Sequence, residues 1–413
     1  MSSPEEFEED DIPPIRPINP SPGGQLSIEN IVGQEETRQL AWRRLENGSL
    51  LLNAPRRFGK TLLLNLIADK PNDNWECLYQ SFQGAVSLED MVDQVLNNMK
   101  KNWSLWARIR KSLGQFLSQS SLSITAGPVT LAPQFRENPL NALESVLRTV
   151  NAQLDDRRLV LLWDEVPDML QNLKNSTLVG GETSDAVWLM STLRRWRENP
   201  DLNKISWILT GSIGFHHVLI VKSVNHGHLM NDLLHLPLNP LDDKWSAWLC
   251  ECLLQGVNLT YTPSAVTGLS KITGGIAYLA HLVAAEAQNE HLVNLDGQDI
   301  EVLFQRAISN LDASHGVTHL LERIPQYYNG DKDIAEWILD EIYQEPLSNK
   351  ELHERALSTT SNETIYRVTY SNVEKVLKLL TLDHYLVRQE SQPYKYSWKY
   401  PPLQYIWRLR REL

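Results

Sequence analysis

The chain has 413 residues, of which 42% are hydrophobic, and a formal net charge of −12 at pH 7. Its length exceeds one ordinary domain, so two or three domains are expected. Its three cysteines exclude a disulfide framework and favour a reducing compartment, and no uninterrupted apolar run is long enough to cross a bilayer. Because the N-terminus also lacks the basic and then apolar order of a secretory signal, we expect a cytoplasmic protein with no membrane partner.

The first segment is strongly acidic. Residues 1–11 carry six acidic side chains and no basic one, so the remainder of the chain has a net charge of −12 + 6 = −6. The segment 1–30 is also rich in Pro and Ser and cannot bury enough apolar surface to fold alone. The sequence therefore predicts a disordered acidic tail here. A docking strand for a partner, or a mimic of nucleic acid, is the alternative.

A loop ending in Gly59-Lys60-Thr61 lies between two apolar runs. This order of strand, loop and helix is typical of a phosphate-binding P-loop, in which backbone N–H groups at the helix start face the phosphates. Lys60 would supply a point charge and the Thr61 hydroxyl would ligate Mg²⁺, while Ala54 stands where such loops usually begin with Gly. The predicted nucleotide-binding residues of the loop are Ala54, Pro55, Arg56, Arg57, Phe58, Gly59, Lys60, Thr61 and Leu62.

The segments on either side of this loop have simple patterns. We predict a helix over 35–46, a strand over 75–80 and a helix over 88–101. An insertion at about 120–135 follows, in which alternating polar and apolar residues flank a turn at Ala126-Gly127-Pro128. This pattern predicts a β-hairpin. The hairpin would either touch a substrate or a neighbouring subunit, or only cover the core.

A second apolar strand, Leu159–Trp163, runs directly into Asp164-Glu165. A buried central strand reads as a continuous hydrophobic run, and ligands bind at its carboxyl end in an open α/β sheet. Asp164 would hold Mg²⁺, and Glu165 would orient and polarise the attacking water. The alternative is a strand followed by an acidic helix cap. The glutamate favours ATP over GTP as the nucleotide that is hydrolysed.

A predicted helix over 185–198 ends in a cluster of three arginines, Arg194, Arg195 and Arg197. The helix dipole alone favours positive side chains at this end. In an oligomeric ATPase, however, an arginine from this region can reach the γ-phosphate bound by a neighbouring subunit and stabilise its developing charge. All three residues are therefore candidates for this role.

A third strand, Ile205–Leu209, ends in Thr210-Gly211-Ser212. Thr210 and Ser212 would lie between the P-loop and the acidic strand, where they could sense the γ-phosphate, or they only turn the chain. Downstream histidines lack supporting ligands at regular spacing, so we expect solvated loop residues and no metal site; they are His216, His217, His226, His228 and His235. Cys250 and Cys252 are expected to be buried thiols in a helix.

Of the last two segments, the first is predicted to be helical and the second to contain both helices and strands. Residues 239–325 read as a helical lid, entered at Leu236–Pro240. Residues 326–413 read as a winged helix-turn-helix: a helix near 334–339, a second that starts at Ser348–Glu351 with a capping-box pattern, and a third over 372–380 precede a hairpin over 385–398. Aromatic and basic residues interleave from Tyr394 to Arg411, as in a DNA footprint. The third helix carries only Lys375 and Lys378, a weak recognition surface, so protein contact or packing on the lid is the alternative.

Several short sequence boxes occur in one order, which resembles that of archaeal-type P-loop ATPases in the AAA+ origin-recognition group and the signalling (STAND) group. The resemblance covers nearly everything from Ile31 onward and implies an α/β AAA+-like core (31–238) with a parallel sheet, a lid and a winged helix. It also implies that Gly33 and Gln34 lie near the adenine, with Gln34 where the family often has Arg, and that Gly274 and Gly275 lie near the nucleotide. The boxes are Val32–Glu36, Ala54–Thr61, Leu162–Glu165, Thr210–Gly214 and Thr273–Leu279.

Two functional hypotheses follow from these patterns. The first is a regulatory ATPase that binds ATP and Mg²⁺, forms a homo-oligomer and acts with a partner protein or effector, for example in defence against phage or mobile DNA. The second is a loader or motor that grips double-stranded DNA with its winged helix, of the origin-recognition or transposition-regulator kind. Both predict slow or partner-stimulated ATP hydrolysis, and fold-level similarity does not choose between them.

Overall fold

The computed structural model divides the chain into two compact units. The core unit comprises Glu35–Pro55 and Lys60–Leu238, and the flanking unit comprises Met1–Gln34, Arg56–Gly59 and Asn239–Leu413. The division therefore crosses the predicted P-loop. The residues described are 12–24, 26–102, 122–123, 130–131, 138–177, 183–211, 214–221, 224–290, 294–309, 323–359, 365 and 368–411.

The core unit contains seven described helices, and the three helices predicted over 35–46, 88–101 and 185–198 end within one residue of their predicted limits. Polar side chains cap several starts: Ser87, Asn138 and Ser184 each accept a backbone N–H of the following helix, which satisfies a group that the helix itself leaves unpaired. The helices are α1 (Glu35–Leu45), α2 (Lys60–Asp69), α3 (Leu88–Lys101), α4 (Pro139–Gln153), α5 (Val166–Leu173), α6 (Asp185–Arg197) and α7 (Phe215–Val218).

A five-stranded parallel sheet forms the centre of the core unit. Its order is β2-β5-β6-β1-β9, so β6 separates the strand before the P-loop from the acidic strand. From Leu159 to Trp163 every residue of β5 is fully buried, as expected for a strand that is covered on both faces. The strands of the sheet are β1 (Leu50–Asn53), β2 (Trp75–Ser81), β5 (Arg158–Asp164), β6 (Ile205–Gly211) and β9 (Leu234–His235).

Two small antiparallel pairs accompany this sheet. Strands β3 (Leu122–Ser123) and β4 (Thr130–Leu131) pair with each other, which confirms the predicted hairpin in the insertion; its turn lies outside the described residues. Strands β7 (Ile220–Val221) and β8 (Val224–Asn225) form the second pair.

The flanking unit is helical from α8 to α12 and then mixed. The capping box predicted at Ser348 and Glu351 is present. The hairpin predicted over 385–398 is also confirmed, as two strands of a three-stranded antiparallel sheet of order β10-β12-β11. The elements are α8 (Asp243–Gly256), α9 (Pro263–Thr273), α10 (Ala277–Asn289), α11 (Gly297–Ser309), α12 (Arg323–Tyr327), α13 (Lys332–Gln344), β10 (Leu347–Ser348), α14 (Asn349–Ser358), α15 (Tyr370–Leu382), β11 (Leu386–Arg388), β12 (Lys395–Trp398) and α16 (Pro401–Arg411).

Part of the predicted disordered tail is ordered, so that expectation is wrong for residues 13–21, which we call the strap. The carbonyl of Pro13 accepts the indole N–H of Trp248 at 2.6 Å, and the N–H of Ile18 donates to the carbonyl of Cys252 at 3.0 Å. Ile18 is 3% exposed. Gly256 permits this approach, since a Cβ there would lie 2.0 Å from the Ile18 carbonyl. An extended segment thus gains stability from a helix far away in sequence, which local composition does not reveal.

The two cysteines of α8 are buried. Cys250 and Cys252 are fully buried in α8, as predicted, and burial raises the pKa of the Cys250 thiol to about 12. Within the described ranges, no helix combines the length and apolar character needed to span a membrane.

The strap makes the flanking unit sensitive to acid at His281. This residue of α10 is 3% exposed, its Nδ1 accepts the N–H of Ser21 at 3.2 Å, and burial lowers its pKa from 6.5 to about 4. Between these pH values the unfolded chain binds a proton at His281 and the folded chain does not, so the contribution is complete above pH 6.5 and is lost as the pH falls toward 4. The difference between the two pKa values corresponds to about 3 kcal/mol of the free energy of unfolding.

We therefore expect the melting temperature of His281→Gln to fall less steeply than that of the wild type between pH 6.5 and pH 4. Glutamine stays neutral and keeps an acceptor oxygen. Differential scanning fluorimetry over this pH series measures the difference. His353→Gln is the matched control, because His353 lies in α14, outside the strap contacts. Parallel curves for the wild type and His281→Gln would contradict the assignment.

Candidate active site

Lys60, the first residue of α2, closes the predicted P-loop from inside the core unit. Its side chain is 5% exposed, and its ammonium donates to the carbonyls of Ala54 at 2.8 Å and Pro55 at 2.9 Å. The cation is therefore held where the loop leaves β1. Helix α2 begins at the same point, so its unpaired N–H groups add a positive potential there. Leu62 lies in the first turn of the helix.

Two predicted metal ligands from distant parts of the sequence meet at this helix. The Thr61 hydroxyl donates to Oδ2 of Asp164 at 2.6 Å, although 103 positions separate the two residues. Asp164 ends β5 and is 2% exposed, whereas Thr61 is exposed at the start of α2. A carboxylate and a hydroxyl side by side are the oxygen ligands that Mg²⁺ prefers, with waters completing its octahedron. The donor set thus fits this ion.

The Asp164 carboxylate accepts three further hydrogen bonds. The Thr210 hydroxyl and the Glu165 N–H (3.0 Å) donate to Oδ1, and the Tyr79 hydroxyl donates to Oδ2 at 3.2 Å. Thr210 lies on β6, between β1 and β5, where the sequence places it. Ser212, the other sensor candidate, lies outside the described residues. Tyr79 is not among the predicted site residues. Its one indication of a role is its position near the carboxyl end of β2, the strand that pairs with β5.

Glu165 follows Asp164 in a strained backbone conformation. Its φ of 54° and ψ of 37° are left-handed, a region that costs a non-glycine residue on the order of 1–3 kcal/mol and that clusters at functional sites. The Asp164 Oδ1 bond to its N–H holds this conformation, and α5 begins immediately afterwards at Val166, with Pro167 in its first turn. Glu165 makes no side-chain capping bond to α5. It nevertheless occupies the N-cap position of that helix, as the alternative reading of an acidic helix cap predicts.

The tip of the loop, Arg56–Gly59, belongs to the flanking unit. The Arg57 guanidinium lies 5.1 Å from the ring centroid of Tyr278. Phe58 is 7% exposed, and its ring centroid lies 4.8 Å from that of Tyr400. Aromatic partners thus hold Arg57 and Phe58, two of the three large side chains at the tip. Gly59 has φ = 89°, with open space where a Cβ would stand, so backbone conformation is the reason for glycine here.

Within the flanking unit, Leu241 brings two predicted nucleotide-binding segments together. A Cβ on Gly33 would lie 2.6 Å from the Leu241 side chain, and one on Gly275 would lie 2.0 Å from the Leu241 carbonyl. Gly274 caps α9 with φ = 54°. Next to Gly33, the side-chain oxygen of Gln34 is buried and has no hydrogen-bond partner among the described residues. Such an acceptor fits a ligand that carries an N–H donor.

The three candidate arginines differ sharply in their surroundings. Arg197 is 4% exposed and pairs with both carboxylate oxygens of Asp232 at 2.5 and 2.9 Å. Arg194 donates to Glu198 at 2.9 Å and to the carbonyl of His228 at 2.8 Å. Arg195 is 59% exposed and pairs with Glu144 at 2.9 Å. Arg197 is thus committed to a buried pair inside its own unit, and Arg195 is the most available of the three.

The predicted solvated histidines are not all exposed in the structure. His217 is 8% exposed in α7, so the prediction is wrong for this residue; the helix after β6 carries it into the core unit. His228 and His235 are exposed, as predicted.

Comparison with models of protein families finds no match, and neither does comparison with the sequences of curated proteins. Solved structures do match. The Walker-type ATPase of Pyrococcus abyssi has a TM-score of 0.63 and 15% sequence identity, covering 92% of this chain and 97% of that one. The ORC2 protein of Aeropyrum pernix has a TM-score of 0.47 and 16% identity, covering 98% of each chain.

The RuvB Holliday junction branch migration motor of Thermotoga maritima has a TM-score of 0.38 and 14% identity, covering 88% of this chain and 92% of that one. The similarity to the Pyrococcus structure, together with the parallel five-stranded sheet, confirms the predicted fold class: an α/β P-loop NTPase fold of the AAA+-like kind, followed by a helical region.

The different surroundings of the arginines predict different stabilities. Arg197→Ala leaves the Asp232 carboxylate without its partner and is expected to lower the free energy of unfolding by on the order of 3 kcal/mol. Burial tends to raise the pKa of Asp232, but the bonds and charge of Arg197 lower it overall. Arg195→Ala removes an exposed pair and should change stability by less than about 1 kcal/mol. Urea unfolding followed by Trp fluorescence compares the two, and equal shifts would contradict this difference.

Proposed function

We propose that the chain binds ATP with Mg²⁺ and hydrolyses the nucleotide. The observation that carries this proposal is the 2.6 Å hydrogen bond between Thr61 and Asp164, which joins the two predicted metal ligands beside the buried ammonium of Lys60. The similarity to a structure named a Walker-type ATPase supports the same conclusion.

Each residue has a definite role in this proposal. Lys60 turns from the loop carbonyls to the phosphates, and the N–H groups of α2 bind phosphate oxygens. Thr61 and Asp164 hold Mg²⁺, which when bound neutralises charge on the phosphates. Loop residues 54–59 and Leu62 surround the phosphates, and in the flanking unit Gly33, Gln34, Gly274 and Gly275 serve the nucleoside.

Glu165 is the proposed general base. Its strained conformation, fixed by Asp164 and Pro167, holds the carboxylate immediately after the metal ligand, where it accepts a proton from the attacking water. The hydroxyls of Thr210 and Thr61 donate to the same Asp164 carboxylate, so β6 is connected to the proposed metal site. This connection suits the predicted role of Thr210 as a sensor of the γ-phosphate. Arg195, or Arg194 after release from Glu198, would act on a neighbouring subunit of a homo-oligomer.

Two substitutions test the proposal. Lys60→Ala is expected to weaken ATP binding by about 10–100-fold, because it removes a charged donor to the phosphates. Glu165→Gln should keep binding but lower kcat by about 100-fold or more. Titration calorimetry with Mg–ATP and a phosphate-release assay measure the two effects. Lys350→Ala, which removes an exposed lysine of α14, is the control in both assays. Unchanged turnover in Glu165→Gln would remove Glu165 from the role of base.

We propose further that the ATPase is a regulator that assembles and acts with a protein partner. The α13–α15 helices and the β10-β12-β11 sheet suit a winged helix, but its charge does not suit DNA. Residues 326–413 carry 12 basic and 13 acidic side chains, a net charge of 12 − 13 = −1. Lys375, on the proposed recognition helix α15, is paired with Asp331 at 2.5 Å. Other cations are paired likewise: Lys395 with Glu351, Arg355 with Glu341, and Arg411 with Asp340.

The alternative is a DNA loader or motor that grips the duplex with this domain. The observation in its favour is the hairpin β11–β12, where the Arg388 guanidinium lies 4.5 Å from the ring centroid of Tyr394 and both residues are exposed. A cation supported by an aromatic ring at the tip of a wing is a plausible contact to phosphate.

Duplex binding separates the two functions. We expect a fluorescently labelled 30-base-pair duplex to bind no tighter than about 1 µM at physiological salt, the range of non-specific affinity, and to leave the ATPase rate unchanged. Fluorescence anisotropy and phosphate release measure both. Submicromolar binding that Arg388→Glu abolishes and that raises the ATPase rate would instead establish the loader.

A further inference from the structure

Tyr79 is an unassigned side chain at the proposed metal site. It lies on β2, the strand next to β5, and pairs in register with Leu162, two residues before Asp164. Because paired residues of parallel strands point to the same face, and alternate residues share that face, the tyrosine lies diagonally beside the aspartate. Its ring spans that distance, and its hydroxyl donates to Oδ2 of Asp164 at 3.2 Å.

The other two side-chain donors to Asp164 have roles of their own in the proposed function. Thr61 is a metal ligand and Thr210 is the γ-phosphate sensor, so both respond when the nucleotide binds. Tyr79 has no such second role.

We propose that Tyr79 is a positioning residue for the metal site: its hydroxyl fixes the Asp164 carboxylate so that Oδ2 stays directed at Thr61, and this sets the affinity for Mg²⁺. The inference rests on the proposed function and deepens it. Without Tyr79, the carboxylate would keep the two threonine donors and the Glu165 N–H but would rotate more freely about its side-chain torsion, and part of the free energy of binding Mg²⁺ would be spent on orienting it.

Tyr79→Phe removes one oxygen atom and keeps the ring. In the full chain, we expect the Mg²⁺ concentration that half-saturates ATP hydrolysis to rise about tenfold, since a hydrogen bond to a charged group is lost, while kcat at saturating Mg²⁺ stays close to that of the wild type. Calorimetry with a non-hydrolysable ATP analogue gives a readout without turnover: the affinity in EDTA should be unchanged, and the gain in affinity on adding Mg²⁺ should shrink. Tyr370→Phe, in helix α15 of the flanking unit, is the matched control.

The outcomes are distinct. An unchanged Mg²⁺ dependence, or an equal loss of affinity with and without Mg²⁺, would overturn the positioning role. If the wild type neither bound nor hydrolysed ATP, the proposed function itself would fail. Should Tyr79→Phe melt early, Ser81→Ala is measured in the same way, because the Ser81 hydroxyl hydrogen-bonds to the Tyr79 phenol. It should raise the Mg²⁺ requirement by a smaller factor, and no change there would also overturn the proposal.

Discussion

A carboxylate that is removed from water must be satisfied by hydrogen bonds, and in the core unit this requirement falls on Asp164. At 2% exposure it accepts bonds from α2, β2, β6 and its own successor. Helix α2 and strands β2 and β6 are therefore tied to β5 through one group at the carboxyl end of that strand. The proposed chemistry depends on this point, because it orders the side chains that would hold the metal and the strained residue that follows it.

Features of the site that are marked by a short stretch of sequence could be predicted, whereas features that depend on distant residues could not. The P-loop and the acidic strand follow from short apolar runs that end in polar residues, and the order β5-β6-β1 then brings Thr61, Asp164 and Thr210 together as expected. Tyr79 could not be assigned in this way, because its role depends on the register of β2 against β5. Likewise, Arg197 could not be separated from Arg195 by sequence, since the difference is the distant Asp232.

In the flanking unit, too, local patterns could be predicted from the sequence and non-local ion pairs could not. Its capping box and its β-hairpin are local patterns, and both occur where they were predicted. Its charge distribution is not local: Lys395 and Arg411, two of the cations that resemble a nucleic-acid footprint in sequence, are paired with acidic partners in the fold, as is Lys375 on α15. Counting basic residues overstates the positive surface, and only the three-dimensional pairs reveal the difference.

The strap has a consequence for biosynthesis. Residues 13–21 are synthesised more than 200 positions before their partners Trp248, Cys252 and His281. The core unit has its own buried centre and its full sheet by Leu238, so it can fold while the chain is still growing. The strap must wait, solvated, until α8 and α10 have been synthesised. Closure of the flanking unit is thus a late, non-local event, and it is the stage at which nascent chains present Trp248 and the buried thiols to other molecules.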